Sequence, residues 1–492
     1  MKDLVLGIDI GTTGIKAIVI GCDGSGSIVW ESFRSCKLIS SKVGFSEEDP
    51  NIWWENTCSI LTELCTTKYK DRISAIGLTG MVPALILVDE KGNPLRNSIQ
   101  QNDARAVEEI KHIKRIIDED EYFSLTGNTI NQQIIPPKYL WLKKHEPEKL
   151  KKTRYIMGSY DFISFKLTGI PHVELNWALE SGLWMVREKK WYKKILDIIE
   201  IPEYLLPSVY EPVKIVGETS KILPGIPVIV GSADHIASAL GMGINEEGDL
   251  LLKIGGAGDI LFAVNSLKMD KRLFLDYHDI PEKFILNGCM ASSGSILKWF
   301  RNNFTDDLDF SKLDKLAEKS RVGSKGLVML PYFLGEKTPI FNPVARGVIL
   351  GLGLHHKMGD IFRAILESVA FGFRHHIDVI ESLGFSVKRV LMSDGGARSR
   401  IWREIVTNVI GMDTMYIKNI SGSSLGVAFL AGMACGLFKD WAEINLFLKD
   451  FQLLKHDLEK HQVYSKYYEI YKELYPTLKP FYEKIHEIEK GD

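Results

Sequence analysis

The chain opens on Leu4-Val-Leu-Gly7-Ile-Asp9-Ile-Gly11-Thr12-Thr13-Gly14-Ile-Lys16-Ala-Ile-Val-Ile20, two apolar β-branched runs joined by a tight turn of Gly and Thr followed by one Lys. Runs of this kind meeting at a Gly-rich turn constrain the start of the fold to a hairpin. Glycine permits positive φ and close approach, so the turn can set several backbone N–H groups and the hydroxyls of Thr12 and Thr13 around a phosphate. Asp9, at the end of the first run, stands where a carboxylate can hold the divalent cation that accompanies a nucleotide. An ordinary N-terminal hairpin has the same outline, and what separates the two readings is recurrence. Asp249-Leu-Leu-Leu-Lys-Ile-Gly255-Gly256-Ala257-Gly258-Asp259-Ile-Leu-Phe-Ala-Val264 is again apolar run, Gly-rich turn, apolar run. It begins about halfway along, which predicts two related halves that each open with a phosphate-facing hairpin. The boundary is placed near residue 245, giving domains 1–245 and 246–492.

A chain of 492 residues exceeds the size at which a single core stops growing, so two large domains are expected on length alone. The formal charge of -2 gives neither nucleic acid nor an anionic membrane a basic surface to bind. No apolar stretch approaches the ~20 residues that span a bilayer, and Asp9 with its glycines interrupts any signal-peptide core. The cysteines, Cys22, Cys36, Cys58, Cys65, Cys289 and Cys435, include no CxxC pair and fit a reducing cytoplasm better than a disulfide framework. Adjacent histidines, His355-His356 and His375-His376, point to different faces of a helix and make poor metal pairs.

Periodicity predicts strands over 27–33, 73–80, 84–89 and 388–393, and helices over 52–64, 360–383 and 401–410. Residues 104–121 and 137–168 read as mostly helical. Tyr464, Tyr467, Tyr468, Tyr471 and Tyr475 recur at helical intervals, as in a packed amphipathic C-terminal helix. The second acidic candidate lies in Pro227-Val-Ile-Val-Gly231-Ser232-Ala233-Asp234-His235, where a buried strand ends and a helix begins. Asp234 fits two roles there: a helix N-cap, or a carboxylate that takes a proton from an attacking hydroxyl, with small neighbours leaving room for a substrate.

Taken together the motifs resemble those of the FGGY family of carbohydrate kinases, and its xylulokinase-like branch in particular. GIDIGTTGIKA is similar to the family's first phosphate motif, and 227–241 to the strand, Asp and helix that carry its base. Leu330-Pro-Tyr-Phe-Leu-Gly-Glu336-Lys337-Thr338-Pro339 with Pro343-Val-Ala-Arg346-Gly347 resembles LPY-x-x-GERTP…P-x-ARG. Ser393-Asp-Gly-Gly-Ala-Arg-Ser399 resembles the adenosine motif, and Ser421-Gly-Ser-Ser-Leu-Gly426 the Gly-Ala-Leu-Gly segment. The resemblance implies an α/β fold of two ribonuclease-H-like, actin-like ATPase domains flanking an interdomain cleft. The sugar would lie mainly on the N-terminal domain and ATP mainly on the C-terminal one. It implies Asp234 as general base, Asp9 at Mg²⁺, and Gly11, Thr12, Thr13 and Lys16 at the phosphates. Gly255, Gly256 and Ala257 would meet the phosphates from the second domain, and Gly395 and Gly396 the adenosine. Gly80, Met81, Asn102, Asp103 and Arg105, together with Asp234, would line the sugar site. A small-molecule sugar or polyol is the implied partner, with a cytoplasmic homodimer as the implied form.

This sequence departs from the family in the sugar pocket and in the second phosphate loop. Met81-Val82-Pro83-Ala84 stands where xylulose kinases carry Gln-Met-His-Gly, so Pro83 replaces a histidine, and Gln101 replaces a tryptophan. Exchanging rings and amides changes hydrogen-bond demand, which alters selectivity strongly. Gly255-Gly256-Ala257-Gly258 stands where many relatives carry Gly-Thr-Ser-Gly, with the loss of both hydroxyls. The expected activity is ATP-dependent phosphorylation of a ketose such as the pentulose xylulose. The alternatives are a kinase of another diol or polyol such as glycerol, and a nucleotide-binding regulator that has lost catalysis. Retention of both Asp9 and Asp234 speaks against the regulator.

Overall fold

The opening hairpin consists of β1 (Leu4–Gly11) and β2 (Gly14–Gly21), antiparallel, with Asp9 opposite Lys16 and Gly11 opposite Gly14. A computed structural model describes residues 2–42, 44–306, 308–418 and 422–491. The chain divides into two compact units. The first comprises Met1–Asn245, Leu275–Ile285 and Ile420–Lys449; the second comprises Glu246–Phe274, Leu286–Asn419 and Asp450–Asp492. A passage at 245 is thus one of several, and two short segments of the expected C-terminal half return to the first unit.

In the first unit β2 pairs onward with β3 (Ile28–Ser35), and β1 pairs in parallel with β4 (Ile73–Gly80). β5 (Ile215–Glu218) and β6 (Pro227–Ile229) extend the sheet, giving the order β5-β6-β4-β1-β2-β3. The two-residue β7 (Ser232–Ala233) lies alongside the end of β4. Every residue of β4 is buried, which is why it reads as a continuous small and apolar run rather than an alternating one. The helical stretch expected over 137–168 is broken twice. Pro147 starts a new helix after His145, and Tyr155–Met157 is a strand paired with Ile86–Val88. Cross-strand pairing overrides local periodicity there.

The helix Gly422–Ala434 packs on β1, β4 and the helix Asp234–Gly241. Its contacts run backbone to backbone: a Cβ on Gly7 would collide with the Ser424 carbonyl, one on Gly77 with that of Val427, and one on Gly426 with that of Ala237. The Gly-Ser-Ser-Leu-Gly segment is therefore a packing seam. Ser421, which begins that segment, lies outside the described residues.

The second unit repeats the opening pattern. β8 (Asp249–Ile254) and β9 (Gly258–Val264) form an antiparallel hairpin with Lys253 opposite Asp259 and Ile254 opposite Gly258. With β10 (Phe284–Met290), β11 (Arg389–Ser393), β12 (Thr414–Tyr416) and β13 (Gln452–Leu454) the order is β10-β9-β8-β11-β12-β13, and β11 is parallel to β8 as β4 is to β1. The long helix Met358–Ser382 packs against Arg400–Ile410. The C-terminal helix buries Tyr464, Tyr468 and Tyr471, and Tyr464 donates to Glu367 Oε1 at 2.9 Å. Glu336 and Thr338 tie the Leu330–Pro339 segment down: Glu336 Oε1 accepts the N–H of Ala291 and of Lys337, and Thr338 Oγ1 pairs with the buried His376 at 2.8 Å.

Because Gly426 has no room for a methyl group, Gly426→Ala is expected to lower unfolding stability by about 3 kcal/mol, the upper end for overpacking. Wild-type stability in a urea titration would refute this account of the seam.

Candidate active site

Two carboxylates leave the same edge of the first sheet. Asp9 on β1 and Ser232 on β7 both register with Thr79 of β4, and Ala233 registers with Gly80. All three strands run in parallel, so Asp9 and Asp234 emerge at their carboxyl ends, where open α/β sheets bind ligands. The backbones of Asp9 and Ser232 are two strand spacings apart, roughly 10 Å. Gly231 makes the bend that precedes Asp234: its φ is +93° and a Cβ would collide with the Leu78 carbonyl. Asp234 is the first residue of its helix and Ala233 the cap, with no side-chain capping bond, so the N-cap role is not the one Asp234 takes.

Asp9 accepts a hydrogen bond from Ser423 Oγ at 2.6 Å. That serine belongs to the Ser421–Gly426 segment, whose pattern in the sequence does not point to Asp9. Gly11 is half-buried, Thr12 and Thr13 are exposed at the turn, and Lys16 lies 3.5 Å from Glu31. Asp234 lies beside His235, whose Nδ1 is 3.5 Å from Asp234 Oδ1 and whose Nε2 is 3.1 Å from Asp276 Oδ2 and 3.6 Å from Glu180 Oε1. Neither Asp276 nor Glu180 was singled out by the sequence, since they lie 42 and 54 residues from Asp234 on either side with no motif around them.

Gly80 is buried against Ser159, whose hydroxyl donates to the Met81 carbonyl at 3.2 Å, and Met81 and Pro83 are themselves buried. Gln101 Oε1 accepts from Gln133 Nε2 at 3.1 Å, and Asn102 is exposed. Asp103 and Arg105 are spent on each other. Arg105 Nε and Nη2 donate to the two Asp103 oxygens at 2.8 and 2.7 Å, and Nη2 also reaches Glu47 Oε1 at 2.6 Å. The guanidinium stacks 3.9 Å from the Phe45 ring centroid, and Asp103 Oδ2 accepts the Ser46 N–H at 2.6 Å. Burial pushes Glu47 up, but Arg96 and Arg105 outweigh it and hold its carboxyl below the usual range. This network is one bidentate, desolvated assembly that shapes the loop, and it leaves Asn102 as the member of the triplet that faces solvent.

In the second unit, Gly255, Gly256, Gly395 and Gly396 line one cavity of about 490 Å³ with Trp402 and Asp314. That volume suits a nucleoside-sized ligand. Gly396 is needed by the protein, because a Cβ there would collide with Ile254. Gly256 and Gly395 are different: a Cβ on either meets nothing within 4 Å, so their bareness leaves space in the cavity rather than packing. Ala257 lies between Gly256 and β9 without lining this cavity. The carbonyls of Gly255 and Gly256 are taken up by the N–H groups of Gly294, Ser293 and Ser295 at the start of the helix Gly294–Phe304. The hydroxyls of Ser292, Ser293 and Ser295 are buried with no partner among the described residues. They stand beside the loop that lacks its own hydroxyls, and the run Ser292-Ser-Gly-Ser295 is the signal that could have found them.

Residues 4–241 match the N-terminal domain of the FGGY family of carbohydrate kinases, and residues 256–435 the C-terminal domain. A xylulose kinase of Staphylococcus epidermidis is 29% identical over 97% of this chain and 98% of its own. A gluconokinase of Bacillus subtilis is 25% identical over 89% of this chain and 88% of its own. The crystal structure of a xylulose kinase from Rhodospirillum rubrum superposes with a TM-score of 0.90 at 38% identity, covering 98% of this chain and 100% of that one. Such neighbours carry the two-domain α/β fold of the actin-like, ribonuclease-H-like ATPases, and this chain shares it. With one family matched along both halves, the chain belongs to the FGGY family of carbohydrate kinases and is a sugar kinase.

Proposed function

We propose that the protein phosphorylates a hydroxyl of a ketose, a pentulose such as xylulose first, using ATP, with Asp234 as general base. The observation that carries this reading is the placement of Asp9 and Asp234 at the carboxyl ends of two parallel strands that flank β4, with Asp9 and Ser232 both in register with Thr79. Asp234 accepts the proton of the sugar hydroxyl as its oxygen bonds to the γ-phosphorus, and the bond from that phosphorus to the β-phosphate oxygen breaks to release ADP. Asp9 is the residue to hold Mg²⁺, which neutralises charge on the phosphates; its carboxylate is oriented by Ser423 and suits a hard cation. Gly11, Thr12, Thr13 and Lys16 serve the phosphates from the first unit. In the second unit the phosphate candidates are Gly255, Gly256 and Ala257, with the buried hydroxyls of Ser292, Ser293 and Ser295 beside that loop. Gly395 and Gly396 take the adenosine. On the sugar side Gly80, Met81 and Asn102 border the substrate, while Asp103 and Arg105 act by bracing their loop. The six free thiols support a cytoplasmic setting.

A kinase of a different polyol is the second reading, favoured by the buried Pro83 and by the Gln101–Gln133 amide pair where relatives carry His and Trp. ADP release with ATP and Mg²⁺ across xylulose, ribulose, fructose, gluconate and glycerol separates the two. We expect the highest kcat/KM on a pentulose; a clear preference for gluconate or glycerol would move the substrate assignment while keeping the kinase.

Asp234→Asn is expected to lower turnover by about 10³-fold, within the range for a lost general base, while nucleotide binding by calorimetry is retained. Full sugar-dependent turnover in that variant would remove Asp234 from the role. Gly395→Val is expected to raise the ATP KM by more than about tenfold, since it fills space in the cavity, and to leave Tm unchanged because nothing in the protein occupies that space. An unaltered ATP KM would place the adenosine elsewhere.

A further inference from the structure

We propose that His235 is a positioning residue for the phosphoryl transfer: an imidazolium pinned from behind by Asp276 and Glu180, it orients the Asp234 carboxylate and supplies the positive charge that carboxylate faces. This rests on Asp234 being the base.

Both ring nitrogens of His235 face carboxylates, Nδ1 toward Asp234 at 3.5 Å and Nε2 toward Asp276 at 3.1 Å and Glu180 at 3.6 Å. A neutral imidazole has one N–H and can answer only one side; the doubly protonated ring answers both. The four groups form a gradient of exposure. Asp276 is fully buried, the His235 and Glu180 side chains are 13% and 17% exposed, and Asp234 is 37% exposed. The end of the chain that meets solvent is thus the end that would meet a hydroxyl.

The cradle is rigid. Glu180 ends the helix Leu175–Glu180, and Asn176 of that helix clamps the strand Phe274–Tyr277 that carries Asp276. Asn176 Nδ2 donates to the Tyr277 carbonyl at 2.9 Å and its Oδ1 accepts the Tyr277 N–H at 2.8 Å. At the other end of the helix, Glu174 Oε2 accepts the N–H groups of Asn176 and Trp177. Lateral movement of His235 is therefore opposed from two elements that are tied to each other.

The charge balance agrees with a cationic ring. Burial works against charge on His235, but the groups facing it, Asp276 foremost, outweigh that and raise the ring well above its ordinary range. The other carboxyls facing this cluster lean toward their neutral forms through burial: Glu180 is held well above the usual carboxylate range, Asp279 is pushed up to about 7 and Glu174 to about 8. One cation then faces Asp276 behind it and Asp234 in front. A carboxylate next to a fixed cation stays ionised at lower pH, so removing the charge raises the pKa of Asp234 and moves the acid limb of the rate profile to higher pH.

The test is the pH dependence of kcat/KM for the sugar in His235→Gln, which keeps an N–H donor and removes the charge. The acid limb should rise by about one pH unit, with the ATP KM moving far less. Asp276→Asn should shift the limb in the same direction, because the ring then loses its proton within the assay range. A histidine that only packs would lower Tm or the plateau rate and leave the limb in place. In the wild-type enzyme, ¹⁵N NMR should show both His235 nitrogens protonated at pH 8, a readout that does not depend on either variant folding. A neutral ring at pH 7, or an unmoved limb in both folded variants, would overturn the proposal. Asp234→Asn keeps the two readings apart: if it is inactive and the limb does not move, only the role of His235 falls; if it is active, the base assignment falls first.

Discussion

The first unit depends on one seam in which helix backbone touches strand backbone. Gly7 and Gly77 on adjoining strands, and Gly426 on the helix Gly422–Ala434, each lack the Cβ that would hold these elements apart. Close packing of this kind gains dispersion contacts along the whole interface and tolerates almost no change of volume. It also determines the chemistry, because the same helix that lies in the seam delivers Ser423 to Asp9, and the helix it lies against begins at Asp234. Both carboxylates of the candidate site are thus located by a contact that contains no charge at all.

The second unit reuses the hairpin-plus-parallel-strand arrangement for a different purpose. Where β1 carries Asp9 and β7 runs into Asp234, β8 runs into Gly255 and β11 toward Gly395, and the cavity these glycines border is bounded by Trp402 and Asp314. Two of those glycines are dictated by the protein's own packing needs only weakly or not at all, which is a sign of space kept for something else. Beside the Gly255–Gly258 loop, which carries no hydroxyl of its own, stand three buried serine hydroxyls, those of Ser292, Ser293 and Ser295 at the start of the helix whose N–H groups take up the loop's carbonyls.

Much of this was legible in the sequence, for reasons that differ by residue. β1, β2, β4 and the helix Met358–Ser382 were visible because local pattern and tertiary role agree in them. Tyr155–Met157 was missed because three apolar residues cannot announce a strand against a helical background; only their pairing with Ile86–Val88 makes one. Asp9 and Asp234 could be named from their neighbours, whereas Ser423, Glu180 and Asp276 could not, since their roles exist only once distant segments are folded together. Asp103 and Arg105 show the opposite case. They were conspicuous in the sequence, and the structure places them in a buried ion network with Glu47.

The seam also sets a schedule for making the protein. The helix that completes the first unit lies 177 residues beyond its main segment, at 422 against 245. At bacterial or eukaryotic elongation rates that separation is on the order of 10 to 35 s of synthesis. Through that interval β1 and β4 have been made but the helix that covers their glycine faces has not, so an apolar surface waits for a partner encoded 177 residues further on, at 422 against 245. A chain that stops short of residue 422 lacks the helix that closes its first unit.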